Sequence, residues 1–171
     1  MIDVVIDTSP LIFLAKIKRL DLLSSYKIIV PRQVEEEILK GYKRQHKDAS
    51  LILKFLKNSN VTKVDVNTID TLPAYLGKGE QAVISYAIDV GIKDVLIDEG
   101  KARAIARFYK LRPKGTLGVL HDARIMGVVD KEELEDMVFN LVQKGYRIKE
   151  EILIEFLKKI RGWPKTIYIP A

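Results

Sequence analysis

The chain has 171 residues, of which 29 are Lys or Arg and 23 are Asp or Glu, giving a net charge of +6 at neutral pH. This length suits one domain, and a hydrophobic content of 47% is enough for a core and excludes wholesale disorder. The absence of Cys excludes disulfides, thiolate metal sites and cysteine nucleophiles. No apolar run approaches the ~20 residues that span a bilayer. The acidic N-terminus does not resemble a signal peptide, so we expect a soluble cytoplasmic protein.

Short apolar strands alternate with amphipathic helices along the chain. Strands are predicted at residues 2–6, 27–30, 61–66 and 94–97, with a short extended piece at 111–114. Helices are predicted at about 10–17, 20–25, 31–42, 49–57, 80–90, 99–109, 116–127, 131–144 and 149–160. This alternation predicts a parallel sheet wrapped by helices. We expect one domain at residues 1–162, with 131–162 as a helical elaboration and 163–171 as a tail that forms a strand or a subunit contact.

Asp7 and Asp98 each come directly after a predicted buried strand. Because ligands collect at the carboxyl ends of the strands in an open parallel sheet, both side chains are expected at that edge. Each also has a purely structural interpretation, since Asp is a frequent N-cap and a helix follows both positions. The sequence therefore indicates either two helix caps or two acids that share one site.

Glutamates in two predicted helices are further candidates. Glu80 lies in the first turn of its helix, where a negative charge is favourable against the helix dipole without any function. The glycines just before it, however, would let a ligand approach the backbone closely. In the triplet at 35–37, a helical wheel places Glu36 opposite the apolar arc, Glu35 within it and Glu37 at its border. Either Glu35 or Glu37 could therefore face a protected site.

Carboxylates that gather in one place repel each other and need compensation by a cation. Sites made only of acidic oxygen ligands prefer hard cations such as Mg²⁺ or Mn²⁺. In a basic protein, such an ion would bind phosphate while Lys and Arg hold the rest of a polyanion. The helix after Asp98 carries Lys101, Arg103 and Arg107, which fit a phosphate-contacting surface and equally an ordinary solvated face.

Five segments, in order and with compatible spacing, carry a family signature. They are VIDTSPLIFLAKI (5–17), IIVPRQVEEEIL (28–39), LGKGEQAVISYA (76–87), VLIDEGKARAIA (95–106) and GTLGVLHDARIMGVV (115–129). Together they resemble the PIN-domain nucleases, and most closely small prokaryotic PIN-like proteins related to the ribonuclease toxins of toxin–antitoxin pairs. The resemblance implies a three-layer α/β/α fold with a central parallel sheet and a C-terminal helical extension.

The resemblance also implies which residues form the site. The catalytic acids that would bind Mg²⁺ or Mn²⁺ are Asp7, Glu37, Glu80 and Asp98, with Glu37 taken from a Val-x-x-Glu motif. Substrate-binding or site-lining positions would be Ser9, Lys78, Lys101, Arg103 and Thr116. Where many relatives carry a further Asp beside the fourth acid, this chain has Glu99, so a fifth ligand is not expected.

A ribonuclease of this kind would use metal ions to activate water and to stabilise negative charge on the phosphoryl group. No His is needed as a general base, and His46 and His121 are expected to be structural. By resemblance, the products would carry a 5′-phosphate and a 3′-hydroxyl, and the partners would be RNA, an antitoxin protein and a second copy of the chain.

Two other functions remain open from the residues alone. The chain could be a catalytically inactive PIN-like module that binds nucleic acid or protein. It could also be a phosphoacceptor or phosphatase with Asp7 as nucleophile, although that chemistry wants a second Asp two residues later, where Ser9 stands.

Overall fold

Five strands and eight α-helices form within residues 1–162, the part of the chain that the computed structural model describes. The strands are β1 (Ile2–Ile6), β2 (Tyr26–Pro31), β3 (Val61–Val64), β4 (Asp94–Leu96) and β5 (Arg112–Lys114). The helices are α1 (Thr8–Lys16), α2 (Arg32–Lys43), α3 (Lys47–Phe55), α4 (Lys78–Val90), α5 (Gly100–Phe108), α6 (Thr116–Ile125), α7 (Lys131–Gln143) and α8 (Glu150–Ile160). The prediction for residues 163–171 lies outside the described residues.

The five strands form one parallel sheet in the order β3-β2-β1-β4-β5, flanked by helices. The chain leaves β1 toward one edge through β2 and β3, and later returns to the other side of β1 with β4. The strand order therefore reverses between β1 and β4, which is where open α/β sheets bind ligands. The amide of Asp7 donates to the carbonyl of Leu96 at 2.9 Å, so the ends of these two strands lie side by side.

The core lies on both faces of the central strands. Val5, Ile6 and Ile28 are fully buried, which is typical of parallel strands covered by helices on both sides. On the helices, residues such as Leu11, Leu14 and Ile84 face the sheet and are also fully buried. The sheet is thus a rigid platform that fixes where each strand ends, and hence where the residues after β1 and β4 lie.

Most predicted elements are confirmed, with one difference that has a physical cause. The helical stretch predicted at residues 20–25 is a 3₁₀-helix (Leu20–Ser25), directly after Lys18 turns the chain with a positive φ of 58°. Strand β3 ends at Val64 instead of residue 66. Val64 pairs with Pro31, and because proline has no amide hydrogen, the hydrogen-bonded ladder between β2 and β3 ends there.

The C-terminal helices pack onto α6 at the side of the sheet. Asp130 caps α7 by accepting from the Glu133 amide at 2.8 Å, and Leu134, Val138 and Leu141 bury its inner face. Helix α8 has no fully buried residue and packs through the partly buried Leu153, Phe156 and Ile160. Across residues 1–162, every helix is too short or too polar to cross a bilayer.

Candidate active site

Asp7 lies at the end of β1, at the N-cap position of α1, and its side chain is only 5% exposed. Its side chain makes no capping hydrogen bond to the helix, so capping does not explain this residue. The pKa of the Asp7 carboxyl is raised to about 7, chiefly by burial; the Thr8 amide lowers it, and the negative charges of Glu80, Glu37 and Asp98 add to the rise. Asp7 is therefore a buried acid with three acidic neighbours.

Glu37 reaches Asp7 from helix α2. Its carboxylate accepts from the Thr8 hydroxyl at 2.5 Å and from the Gly79 amide at 3.2 Å. A Cβ at Gly79 would stand 2.8 Å from Asp7 Oδ1 and 3.1 Å from Glu37 Oε1. The absence of a side chain at Gly79 thus allows the start of α4 to approach both carboxylates.

The three side chains of the Glu35–Glu37 triplet have different surroundings. Glu35, which the helical wheel had placed in the apolar arc, pairs with Lys63 of β3 at 2.6 Å. Glu36 is exposed, as predicted. Glu37 alone faces the other acids, because residues two apart on a helix point in directions about 160° apart.

Glu80 lies one residue after Gly79 and is half-buried. One of its oxygens accepts from the Gly77 amide at 2.9 Å, so part of its role is to cap α4, whereas the structural interpretation from sequence invoked only the helix dipole. Burial raises the pKa of Glu80, and the charges of Glu99 and Glu37 raise it further. The capping bond leaves Glu80 close to the other acids.

Asp98 follows β4 and accepts three hydrogen bonds. The donors are the Thr116 amide (2.6 Å), the Thr116 hydroxyl (2.7 Å) and the Tyr146 hydroxyl (2.9 Å). Asp98 is not a helix cap, because Glu99 takes that role for α5 by accepting from the Ala102 amide at 2.8 Å. Glu99 is thereby engaged in capping α5.

The predicted substrate-binding residues divide into two groups. Thr116 is fully buried and hydrogen-bonded to Asp98. Arg103 lies nearby: its Nη1 is 3.6 Å from the Cβ position of Gly115, and its buried Nε has no hydrogen-bond partner among residues 1–162. Lys78 and Lys101 are exposed, Lys101 resting 5.7 Å from the ring centre of Tyr75. Within residues 1–162, no hydrogen bond or ion pair joins Ser9, Lys78 or Lys101 to the four acids.

Neither histidine lies in the acid cluster. His46 is the exposed N-cap residue of α3. His121 packs against Phe156 with ring centres 6.2 Å apart, and burial lowers its pKa. Both side chains are therefore outside the group formed by Asp7, Glu37 and Glu80.

The four acids come from four elements, and they face hydrogen-bond donors as well as each other. In the side-chain conformations adopted within residues 1–162, no three acidic or histidine side chains are arranged to hold one ion. The donors explain this arrangement, since Thr8 and Gly79 hold Glu37 while Thr116 and Tyr146 hold Asp98.

Sequence reasoning anticipated a close approach at the glycines before Glu80 but missed Tyr146. At Gly79 the groups that approach are the carboxylates of Asp7 and Glu37. Tyr146 stands in the connection between α7 and α8, 48 residues after Asp98, and no local pattern links the two. Its hydroxyl remains protonated, because burial and the Asp98 charge raise its pKa well above the ordinary value.

Comparisons with known proteins agree with this architecture. A family model described as DUF3368, a PIN domain, matches residues 3–161. Among solved structures, a PilT N-terminus domain protein from the hyperthermophilic archaeon Sulfolobus solfataricus P2 is similar, with a TM-score of 0.51 and 14% identity over 71% of this chain and 93% of that chain. At that identity the likeness concerns the fold alone. No curated protein matches in sequence. The chain belongs to the PIN-domain family.

Proposed function

We propose that the protein is a Mg²⁺- or Mn²⁺-dependent ribonuclease that hydrolyses RNA phosphodiester bonds. Asp7, Glu37, Glu80 and Asp98 would hold the metal, and Arg103, Lys78 and Lys101 would contact the RNA backbone. Ser9 and Thr116 would line the site. Membership of the PIN-domain family supports a nuclease-type activity.

The observation that carries the proposal is the state of Asp7. A buried carboxyl whose pKa is raised to about 7, with three acids beside it, is unfavourable for folding and gains most from a bound cation. It lies between the ends of β1 and β4, in a protein of net charge +6. An acidic cluster at a ligand-binding edge of a basic protein fits a divalent ion and a polyanionic substrate.

The donor set suits hard cations, because all four candidate ligands are carboxylates. When bound, such an ion lowers the pKa of a water molecule and stabilises charge on the phosphoryl oxygens. The chain's own residues position the ligands: Thr8 and Gly79 orient Glu37, while Thr116 and Tyr146 orient Asp98. Hydrogen bonds of this kind fix which oxygen lone pairs remain free.

The test is cleavage of labelled single-stranded RNA with Mn²⁺ or Mg²⁺, repeated with chelator and with Asp7→Asn and Asp98→Asn. We expect chelator to abolish cleavage and each substitution to reduce it by at least about a hundredfold, equivalent to a few kcal/mol of transition-state stabilisation. Glu35→Gln is the matched control, since Glu35 pairs with Lys63 and should leave the rate unchanged. Cleavage that survives chelation and both Asp substitutions would contradict the proposal.

A second candidate is a PIN-like module that binds nucleic acid or protein without catalysis. The hydrogen bonds that already occupy Glu37 and Asp98 favour it, since they stabilise these acids without a metal. RNA binding with no cleavage in either metal, together with no rise in melting temperature on adding Mn²⁺, would select this function.

We also propose that the protein is a toxin paired with an antitoxin, that it forms a homodimer and that it is cytoplasmic. The toxin role is supported by the resemblance of the five sequence segments to toxin-related PIN-like proteins. Growth arrest on expression of the wild type, and normal growth with Asp7→Asn, is the expected result. Normal growth with both would remove the toxin role and leave the ribonuclease proposal in place.

A further inference from the structure

The connection between β3 and α4, residues 65–77, is a long loop that is fixed against the body of the protein. The Ile69 amide donates to the buried hydroxyl of Ser85 in α4 at 2.9 Å. Leu72 and Leu76 are 7% and 4% exposed and belong to the core. Long loops that keep a defined conformation are often functional, because they present side chains from a rigid support.

Tyr75 lies on this loop between buried residues, yet its own side chain is 62% exposed. The backbone beside it is held on both sides of the next residue, since the Leu76 amide donates to the Pro73 carbonyl at 3.1 Å and the Leu76 carbonyl accepts from Gln81 Nε2 at 2.8 Å. The fold thus holds a large aromatic ring at the surface, where a ligand that covered it would bury apolar area.

Tyr75 lies on the side of the acid cluster that Glu80 forms. Two residues after Tyr75, the Gly77 amide donates to the Glu80 carboxylate at 2.9 Å. From the first turn of α5, Lys101 Nζ lies 5.7 Å from the centre of the Tyr75 ring. Helix α5 begins after Glu99, which is close enough to Glu80 for its charge to raise the pKa of Glu80. The ring and Lys101 are therefore neighbours at the rim beside Glu80.

Two cations accompany the ring at this rim. Lys78 in the first turn of α4 and Lys101 in the first turn of α5 are both exposed. Among residues 1–162, no carboxylate forms an ion pair with either ammonium group. The rim thus combines free ammonium groups with an aromatic face, which are the groups that bind the phosphate and the base of an unpaired nucleotide.

We propose that Tyr75 is a substrate-positioning residue whose ring stacks on one unpaired base next to the phosphate at the acids, while Lys101 contacts the backbone of that nucleotide. Every base has a π face, so the stack positions the strand without reading its sequence. The assignment of that phosphate as the one that is cut rests on the proposed ribonuclease function, whereas the stacking itself does not.

The role of the ring is tested by the kcat/KM for cleavage of labelled single-stranded RNA in Mn²⁺ by Tyr75→Ala, Tyr75→Leu and Tyr75→Trp. We expect Tyr75→Ala and Tyr75→Leu to reduce kcat/KM by about 10–100-fold, which is the loss that follows removal of one base–aromatic stack. Tyr75→Trp should keep the wild-type value, because it keeps an aromatic face. Wild-type activity in Tyr75→Ala or in Tyr75→Leu would overturn the proposal.

Phe108→Ala is the matched control. Phe108 is 77% exposed and is the last residue of α5, at the opposite end of that helix from Lys101. Its removal deletes an exposed aromatic ring away from the rim and should leave kcat/KM unchanged. A loss in Phe108→Ala equal to that in Tyr75→Ala would mean that exposed rings act without regard to position, and would overturn the assignment to Tyr75.

The base that stacks is identified with RNAs in which one nucleotide at a time lacks its base. At one position, removal of the base should lower the wild-type kcat/KM about as much as Tyr75→Ala does, and should cost Tyr75→Ala little more, because both changes remove the same contact. Losses that add at every position, or no sensitive position, would mean that the ring only supports the loop, and would overturn the proposal.

The same RNAs separate this proposal from the ribonuclease proposal. If no RNA is cut in Mn²⁺ or Mg²⁺, the ribonuclease proposal fails, and the Kd of each RNA for wild type and Tyr75→Ala is then measured by fluorescence anisotropy in EDTA. A weaker Kd for Tyr75→Ala that is matched by removal of one base still supports the stack. No difference in Kd between the two proteins, including no binding by either, would overturn it.

Discussion

Asp7 and Asp98 occupy equivalent places at the ends of neighbouring strands, but their surroundings are opposite. Asp98 accepts three hydrogen bonds from Thr116 and Tyr146. Asp7 is buried, caps nothing, and has a pKa raised to about 7. One acid is thus stabilised by the protein itself, and the other is left in a state that a cation would relieve. The difference indicates that Asp7 is retained at a cost to stability, which is typical of functional sites.

The largest expected effect is an opposite change in stability for Asp7→Asn and Asp98→Asn. The pKa of Asp7 rises from 3.8 to about 7 on folding, which corresponds to about 4 kcal/mol of unfavourable free energy once the group ionises. Without divalent ions at pH 8, Asp7→Asn should therefore increase the free energy of unfolding by up to about 4 kcal/mol. Asp98→Asn should decrease it by about 1–3 kcal/mol, because charge-assisted hydrogen bonds are weakened.

The pH dependence of the free energy of unfolding tests the sign of the Asp7 contribution. The folded state holds a proton on Asp7 that the unfolded state releases between about pH 4 and pH 7, so its contribution makes the wild type less stable as pH rises through that window. Urea denaturation in EDTA at pH 4, 6 and 8 should show the gain from Asp7→Asn at pH 8 and none at pH 4. A loss of stability at pH 8 would contradict this account of Asp7.

The next effect is stabilisation by Mn²⁺. An ion that binds only the folded protein at 100 times its Kd adds about 2.7 kcal/mol. At pH 8 this should raise the melting temperature of the wild type and not that of Asp7→Asn. An equal rise in both proteins would mean that the ion binds away from Asp7.

Gly79→Ala tests the close approach at the start of α4. The new Cβ would stand 2.8 Å from Asp7 Oδ1, so we expect a loss of about 1–3 kcal/mol in unfolding free energy and weaker Mn²⁺ binding. Gly100→Ala is the matched control, since Gly100 also begins a helix but has nothing within 4 Å of its Cβ position. Chemical denaturation of both variants measures the difference, and equal effects would show that the contact has no importance.

The smallest expected effect is that of Tyr146→Phe. It removes one hydrogen bond to Asp98, costing about 1 kcal/mol of stability, and should weaken Mn²⁺ binding by about 10–100-fold, as for other residues that orient metal ligands. Calorimetric Mn²⁺ titration separates the two effects. A loss of stability with unchanged Mn²⁺ affinity would make Tyr146 purely structural.

The central strands β1, β2 and β4 could be predicted from sequence because they are short, largely apolar runs followed by helix starts. Asp7 and Asp98 were identifiable for the same reason, since a strand end places its next residue at the sheet edge. Glu37 was not separable from Glu35 by the helical wheel, because both lie near the apolar arc and only Lys63 on β3 draws Glu35 away. The family resemblance, rather than the periodicity, selected Glu37.

Local sequence patterns could not predict the contacts between the residues of the site. Tyr146 reaches Asp98 across 48 residues, and Gly79 reaches Glu37 across 42, so each depends on how helices pack rather than on its neighbours in sequence. Glu80 illustrates a second difficulty, because its carboxylate accepts from the Gly77 amide as a helix cap, whereas the sequence indicated only the helix dipole and the proposed site.

The bond from Tyr146 to Asp98 also has a consequence for biosynthesis. Strands β1 and β4 and helix α2 are all made before the connection between α7 and α8 leaves the ribosome. Until that connection docks, Asp98 has only the Thr116 donors. A nascent chain therefore carries the four acids well before Asp98 has all three of its hydrogen-bond donors.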